Sequence, residues 1–396
     1  MSKINIRDFY NENEDGASDI VGISTFSSTA YFVPTKGTTA QRPSDHVEVG
    51  SIRFNTDTSN LEYYRGHTLG WSQFVLIDPD LGGGTGSNTG LGTRGVVMGG
   101  YKDSPTNARQ NIIDFITVST LGNAQDFGDL NNEVYLTAAC SSRTRAFAIA
   151  GETGTTINVI EFVTFASTGN AIDFGDIING TTRANAGVSD ATRGISVCGE
   201  VPATKNVIEY FTMASSGNAI DFGDALTARS APATTASSTR AVIAGGRTPS
   251  PSALFNSMEF ITMSSTGNGT DFGDMIQAVA GAGSGTCSSS VRGLFAGGYN
   301  FPSNPYSSFN TIQFITIATL GNTQDFGDLI NTVSGGSQLS SPTRGIFAGG
   351  LAGDQSTNLA TIDTVEILTT GDSTDFGDLT TSRRTIAGAS NGHGGL

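Results

Sequence analysis

The tetrapeptide Asp-Phe-Gly-Asp occurs six times, at Asp126–Asp129, Asp173–Asp176, Asp221–Asp224, Asp271–Asp274, Asp325–Asp328 and Asp375–Asp378, at intervals of 47, 48, 50, 54 and 50 residues. A period in this range marks a repeat architecture, in which one unit cannot bury its apolar face alone and must stack on its neighbours. Most of the chain is therefore one structural device used six times.

Each unit opens with an Arg-led apolar run that ends in small residues, at Arg94, Arg145, Arg193, Arg240, Arg292 and Arg344, with a degenerate seventh copy at Arg383. Such short apolar runs read as buried strands, and the terminal glycines permit a turn or a close backbone approach. A variable polar stretch follows, then a second run beginning at Asn111, Asn158, Asn206, Asn256, Asn310 and Asp363. A polar residue stands among its apolar neighbours, as Asp114 does between Ile113 and Phe115, which reads as a partly exposed strand. A Gly-Asn turn, Gly371-Asp372 in the last unit, leads into the D-F-G-D strand, and a Thr/Ser-rich stretch returns the chain to the next Arg. No segment sustains a 3.6-residue period, so three to four strands per unit predict an all-β fold, a β-propeller. The extra Arg383 run favours six blades closed by the two chain ends. Seven blades follow if Trp71–Ile77 joins Arg383–Ala389 instead. Phe127, Phe174, Phe222, Phe272, Phe326 and Phe376 are the expected wedges between blades, each worth about 2–3 kcal/mol when buried.

Composition narrows the function classes. The chain has 396 residues, 52 of them Gly, and a net charge of −15 from 36 acidic and 21 basic side chains. Phosphate-rich partners would be repelled, so no nucleic-acid partner is expected. The sequence has no apolar run long enough for a membrane span, so no membrane insertion is expected, and its start has no secretion-signal pattern. Cys140, Cys198 and Cys287 are odd in number and lack Cys-x-x-Cys spacing, which predicts three reduced residues without catalytic or metal roles.

Residues 1–33 read as an amino-terminal arm, 34–80 as a small β-hairpin module for attachment or oligomerisation, 81–89 as a Gly-rich linker and 90–396 as the repeat domain. In the module, Ile52 and Phe54 alternate with Arg53, T-D-T-S-N turns into Leu61–Tyr64, and a third strand carries Trp71 and Phe74. Three short strands bury little, so a homo-oligomer is expected, a trimer among the candidates.

The stretch R-P-S-D-H-V-E-V-G-S-I-R-F-N-T-D-T-S-N-L-E-Y-Y-R-G-H-T-L-G-W, from Arg42 to Trp71, resembles a small module of tail-fibre and other virion structural proteins of tailed bacteriophages, especially those of cyanobacteria. The repeats are similar, more loosely, to the kelch-like repeats of such proteins. The resemblance implies a non-enzymatic virion protein of the tail or tail fibre, made in the host cytoplasm and joined to other virion proteins. Its propeller loops would then contact a host-surface glycan or protein. Structural decoration without receptor binding, and a free carbohydrate-binding lectin, are the alternatives.

The chemistry-bearing residues support binding over catalysis. D-F-G is also the magnesium-binding triplet of kinases, but here it comes without a Gly-rich phosphate loop or an H-R-D segment. The paired carboxylates of each copy, Asp126 with Asp129, Asp173 with Asp176, Asp221 with Asp224, Asp271 with Asp274, Asp325 with Asp328 and Asp375 with Asp378, raise a calcium option. The bland reading makes the first Asp a turn cap and pairs each unit's Arg with a D-F-G-D carboxylate. A ring of arginines that binds a ligand is the sharper alternative. His46, His67 and His393 are isolated, so no catalytic residue, metal or cofactor is expected. The irregular loops Tyr101–Gln110, Arg247–Phe255 and Tyr299–Phe309 are the candidates for recognition, with Tyr299, Phe301, Tyr306 and Phe309 as ligand or receptor contacts.

Overall fold

A computed structural model describes residues 34–44, 47–58, 60–73, 93–103, 107–249, 252–300 and 307–396. The chain divides into two compact units, Met1–Asp78 and Pro79–Leu396. In the first, Ile52–Asn55 pairs antiparallel with Asn60–Tyr64, which pairs with Trp71–Gln73, and Lys36–Gly37 adds in parallel. Its buried side is polar. Glu62 is fully buried and takes hydrogen bonds from Arg42, from Arg53 at 3.2 Å and from Asn55 at 2.8 Å. Ile52 and Leu61 lie on the opposite, exposed side. His46 and Phe74 fall outside the described residues.

The second unit is all-β; five of the six repeats are built on four paired strands and the Asp325 repeat on three, Arg292–Ala296, Phe309–Thr316 and Gln324–Ser334. The Asp173 repeat runs Ala138–Ser141, Arg145–Glu152, Thr156–Thr164 and Ile172–Asp176, paired antiparallel in that order. The innermost strand comes from the Ala/Ser/Thr stretch ahead of the Arg-led run. Such small residues give little apolar signal, yet they allow inner strands to crowd together. Ala387–Ser390 is one of them, and it pairs with Arg94–Met98, nearly three hundred residues earlier in the chain. Arg383 therefore opens no seventh Arg-led strand.

The tetrapeptide is a β-bulge. Asp126 faces Asp114 and Gly128 faces Ile113, leaving Phe127 without a partner across the ladder, and the same shift recurs in all six repeats. The bulge turns each Phe into the core, where all six are 2–3% exposed. Six hydrophobic clusters lie between successive repeats. One joins Phe127 to Val163 and Phe165, and another joins Phe376 and Ile346 of the last repeat to Val97 and Ile116 of the first. Gly122 and Gly169 sit against Phe376 and Phe127 respectively, donating backbone hydrogen bonds of 2.9 and 2.7 Å to their carbonyls.

The expected β-propeller of six, or seven, equivalent blades needs correction. Among the described residues the strands form eight sheets of unequal size. Gln324–Ser334 runs on to pair with Arg344–Ala352, fusing two repeats into one seven-stranded sheet. Tyr101–Lys102 with Ala108–Arg109, and Arg247–Pro249 with Ser252–Leu254, form separate two-stranded ribbons. The seven-blade variant fails because Trp71–Gln73 pairs within its own small sheet and Ala387–Ser390 pairs with Arg94–Met98.

Two side-chain expectations also change. The polar residue of the second strand is buried, since Asp114, Glu161, Glu209, Glu259, Gln313 and Asp363 are 0–6% exposed. Each accepts a backbone N–H from the neighbouring repeat, as Glu161 does from Asn131 at 2.8 Å and Asp114 from Thr380 at 3.1 Å. A buried acceptor with such a partner is satisfied rather than solvated. The repeat arginines, for their part, do not pair with D-F-G-D carboxylates. Arg145, Arg193, Arg240 and Arg292 lie 4.7, 4.9, 4.2 and 4.3 Å from the centroids of Phe162, Tyr210, Phe260 and Phe314. Their guanidinium groups donate to carbonyls of the next repeat, Arg240 to Ile317 at 3.0 Å and Arg344 to Val118 at 3.0 Å. The planar fork can stack and donate together, which a carboxylate partner would not require.

Candidate functional site

The residue ahead of each inner strand adopts a left-handed backbone: Leu136, Ala184, Ala231, Gly281, Gly335 and Thr385 have φ of 54, 51, 50, 61, 61 and 53°. This turns each amide sideways toward the neighbouring repeat. Ala184 donates to the Leu136 carbonyl at 2.9 Å, Ala231 to Ala184 at 2.7 Å, Gly281 to Ala231 at 3.0 Å, Gly335 to Gly281 at 2.9 Å, Thr385 to Gly335 at 2.6 Å and Leu136 to Thr385 at 3.2 Å. The six bonds form an unbroken belt. Four of these positions carry side chains that resist φ > 0, so strain is retained to make the belt.

The belt lines a cavity of about 360 Å³, within the range of small-molecule sites. Tyr135, Tyr299, Leu351, Ile386 and Pro232 supply apolar wall, while Asn185, Arg247, Gln355 and Arg384 supply polar groups. Ser284 crosses beneath. Its N–H donates to Gly336 at 3.0 Å, its carbonyl accepts from Gln338 at 3.0 Å and Gly388 at 3.1 Å, and its hydroxyl reaches the Thr137 carbonyl at 3.3 Å. Gly285 makes this crossing feasible, because any Cβ there would collide with the carbonyls of Gln338 and Gly388.

Charges beside the cavity are largely compensated. Arg384 grips Asp103 through bonds of 2.7 and 2.9 Å, which holds that carboxyl below the usual range. Arg183 bonds Glu152 and, at 3.2 Å, Glu200; Arg109 lies 3.9 Å from Glu152, and Arg247 3.9 Å from Glu200. Burial raises the Glu152 pKa, but bonds from Arg183 and Tyr135 outweigh it and leave the group lowered. Burial and the bond to Glu152 raise the Tyr135 hydroxyl in turn. Asn185 is 4% exposed; its amide nitrogen donates to Ser196 Oγ at 2.9 Å, while its Oδ1 is buried with no hydrogen-bond partner.

On the far side of the inner strands, serine hydroxyls link repeat to repeat, with Ser189 to the Ser141 carbonyl at 2.7 Å and Ser141 to the Ser390 carbonyl at 2.7 Å. His393 packs there, 3.2 Å from Ser189 Oγ, and burial lowers its pKa to about 4.

Of the four aromatic contact candidates, Tyr299 lines the cavity. Phe309 begins a strand and packs against the hydrophobic core. Phe301 and Tyr306 fall outside the described residues. The repeated aspartates stay at the outer edge. Asp126, Asp173, Asp221, Asp271, Asp325 and Asp375 are exposed, and the second Asp of each copy donates its N–H to the following turn, as Asp129 does to Asn170 Oδ1 at 3.1 Å and Asp378 to Asn123 Oδ1 at 3.1 Å. No three His, Cys, Asp or Glu side chains gather as a metal site among the described residues. Cys140, Cys198 and Cys287 are buried and free, and burial pushes the thiols of Cys198 and Cys287 up to about 12. Sequence reasoning missed the belt, Asn185 and the packing of His393, because small residues in left-handed turns share a backbone angle and no side-chain pattern.

No family model matches the chain, and no curated protein matches it. The resemblance to phage tail-fibre modules and kelch-like repeats is corrected accordingly. The tail-fibre function, and host contact through outward propeller loops, rested on that resemblance and on equivalent blades, and both are withdrawn. The decoration and lectin alternatives are withdrawn with them.

Proposed function

We propose that this chain is a non-catalytic binding protein that holds a small molecule in the cavity inside the backbone belt. The carrying observation is the cavity itself, about 360 Å³ in volume and lined by the same left-handed position from all six repeats. Left-handed backbone kept at six places, strained at Leu136, Ala184, Ala231 and Thr385, is costly, and an open, shaped space is what it provides. The carboxylates Asp103 and Glu152 favour binding over catalysis, because each accepts from an arginine; Glu200 is paired with Arg183 through Oε1 and keeps an Oε2 without a hydrogen-bond partner. A general base needs a free lone pair within reach of substrate.

The test is a thermal-shift screen of the full chain against a library of small neutral, anionic and cationic compounds, repeated on Leu351→Trp, which fills the cavity. A ligand at a hundred times its Kd should stabilise the wild type by about 2.7 kcal/mol. The variant should lose that gain while melting normally on its own. An absence of shifts across the library, or equal shifts in the folded variant, would overturn the reading.

A further inference from the structure

The buried polar residue of the second strand is compensated differently from repeat to repeat. Asp114 and Glu259 lie 2.9 Å from Arg383 and Arg229. Glu209 stands in the field of Lys205, Glu161 takes N–H groups from Asn131 and Asn132 on its two oxygens at 2.8 and 3.1 Å, and Gln313 carries no charge. Asp363 is the exception. It is 6% exposed, and its Oδ2 accepts from the Ile330 N–H at 2.9 Å and from the Ser373 hydroxyl at 3.0 Å, while its Oδ1 is buried with no hydrogen-bond partner.

The Asp114 repeat shows what Asp363 lacks. Arg383 stands four residues ahead of the inner strand Ala387–Ser390 and donates to Asp114 and to the carbonyls of Gly99 and Val97. Val333 stands four residues ahead of the matching strand Ser337–Ser340, and Phe347 faces Asp363 across the ladder as Val97 faces Asp114. Val333, Phe347, Gly349 and Asp363 line one space of about 20 Å³, at the place that the Arg383 guanidinium takes in the first repeat, and nothing else in that lining is charged. The charge that faces Asp363 is Asp375, opposite it on the outer strand, and it is also negative. A buried carboxylate without a cation is costly, and protonation removes the cost. Burial raises the Asp363 pKa, and Asp375 adds to it, against the bonds from Ile330 and Ser373.

We propose that Asp363 is a proton-operated latch between the Asp325 and Asp375 repeats: as the neutral acid it carries an O–H on Oδ1 that donates to the Phe347 or Gly349 carbonyl, as Arg383 donates to Val97 and Gly99, and on losing that proton to water it leaves a bare buried charge at the junction. Gln313 is a neutral version of the same contact. Its Oε1 accepts from the Ile276 N–H at 2.9 Å and the Thr323 hydroxyl at 2.8 Å, the counterparts of Ile330 and Ser373. The latch adjoins the larger cavity, since Gly281, Gly283 and Gly336 line both spaces, but it needs no ligand to operate.

The folded protein holds this proton more tightly than the unfolded chain, whose carboxyl titrates near 3.8. The penalty is therefore full above the folded pKa and disappears as pH falls toward 3.8. Urea melts of the full chain and of Asp363→Asn at pH 7.5 and pH 4 test this. Asparagine copies the neutral acid at both pH values, and other titrations, such as that of His393, cancel between the two proteins. The variant's folding constant relative to the wild type should be larger at pH 7.5 than at pH 4 by about tenfold or more, one pKa unit being worth tenfold. Hydrogen exchange of residues 325–352 in the wild type, corrected for the chemical exchange rate, should show protection rising relative to the Asp173 repeat between pH 7.5 and pH 5. A ratio of folding constants equal at the two pH values would overturn the latch, as would relative protection that stays level or falls on acidification. If Asp363→Asn does not fold, Asp363→Gln, which copies Gln313, makes the same comparison, and the wild-type exchange profile decides if neither folds.

Discussion

At the scale of single residues, two glycines with the same backbone angle separate strain from contact. Gly122 and Gly128 both have φ of 143°, but a Cβ at Gly122 would meet nothing within 4 Å, whereas one at Gly128 would lie 2.5 Å from the Gly169 carbonyl carbon. Alanine at either site should cost about 1–3 kcal/mol in backbone strain. Gly128→Ala should cost at least about 1 kcal/mol more, because the clash is with backbone that cannot rotate away. Urea melts of the two variants check this, and equal losses would remove close contact as the reason for glycine in the repeated tetrapeptide. His393 makes a second residue-scale prediction. Its folded pKa of about 4 lies below the ordinary 6.5, lowered by burial and by nearby Arg143 against the opposing pull of the Ser141 carbonyl and Asp190. Between those values the unfolded chain takes up a proton that the folded chain refuses, so stability is lost as pH falls from about 6.5 toward 4 and is untouched above. The wild type should lose about 2 kcal/mol more than His393→Gln between pH 7 and pH 4.5. Parallel pH profiles for the two proteins would show that His393 titrates freely.

At the scale of strands, repeats are joined through buried polar groups as well as through aromatic wedges. Asp114 and Arg383 are fully buried and 2.9 Å apart, and Arg383 also donates to the Gly99 and Val97 carbonyls at 2.9 and 3.2 Å. Asp114→Ala strands a buried guanidinium and should cost about 3–5 kcal/mol, whereas the double replacement Asp114→Leu with Arg383→Met should recover most of that loss. A double mutant no better than the single would mean that the pair does not act as a unit. This element also shows what was legible in the sequence. The period, the Arg-led and second strands, and the burial of six Phe follow from apolar spacing, because such signals sit in the side chains. The inner strands did not follow, since Ala138–Ser141 and its counterparts are small and uniform, and Arg383 looked like a strand start when its role is to neutralise Asp114. The exposure expected of Asp114 failed because its partners, Thr380 and Arg383, are far away in sequence. The cavity was the least legible part. Of the four aromatic candidates only Tyr299 is seen to line it, and the belt depends on backbone angles shared by Leu, Ala, Gly and Thr.

At the scale of the whole repeat unit, the contacts between the last repeat and the first decide how it unfolds. Ala387–Ser390 supplies the innermost strand beside Arg94–Met98, Ile386 and Ala387 are fully buried, and Thr385 carries one link of the belt. In an open stack, removing the final strand would fray one end and leave the other repeats nearly as stable as before. Here the loss reaches the first repeat directly. Arg94–Met98 would be left with an unpaired edge, and the cluster in which Ala387 and Ala389 pack with Val96, Met98 and Phe127 would be opened to water. Deleting residues 387–396 should therefore destabilise the unit by an amount comparable with the ~5–15 kcal/mol that holds a domain together. The expected result is a broad, early melt with a reduced urea m-value, reflecting a folded state that already exposes much of its surface. Circular dichroism and urea melts of the truncated chain measure this. A sharp transition close to that of the full chain would show that the junction between first and last repeats contributes little, and that each repeat is held by its sequential neighbours alone.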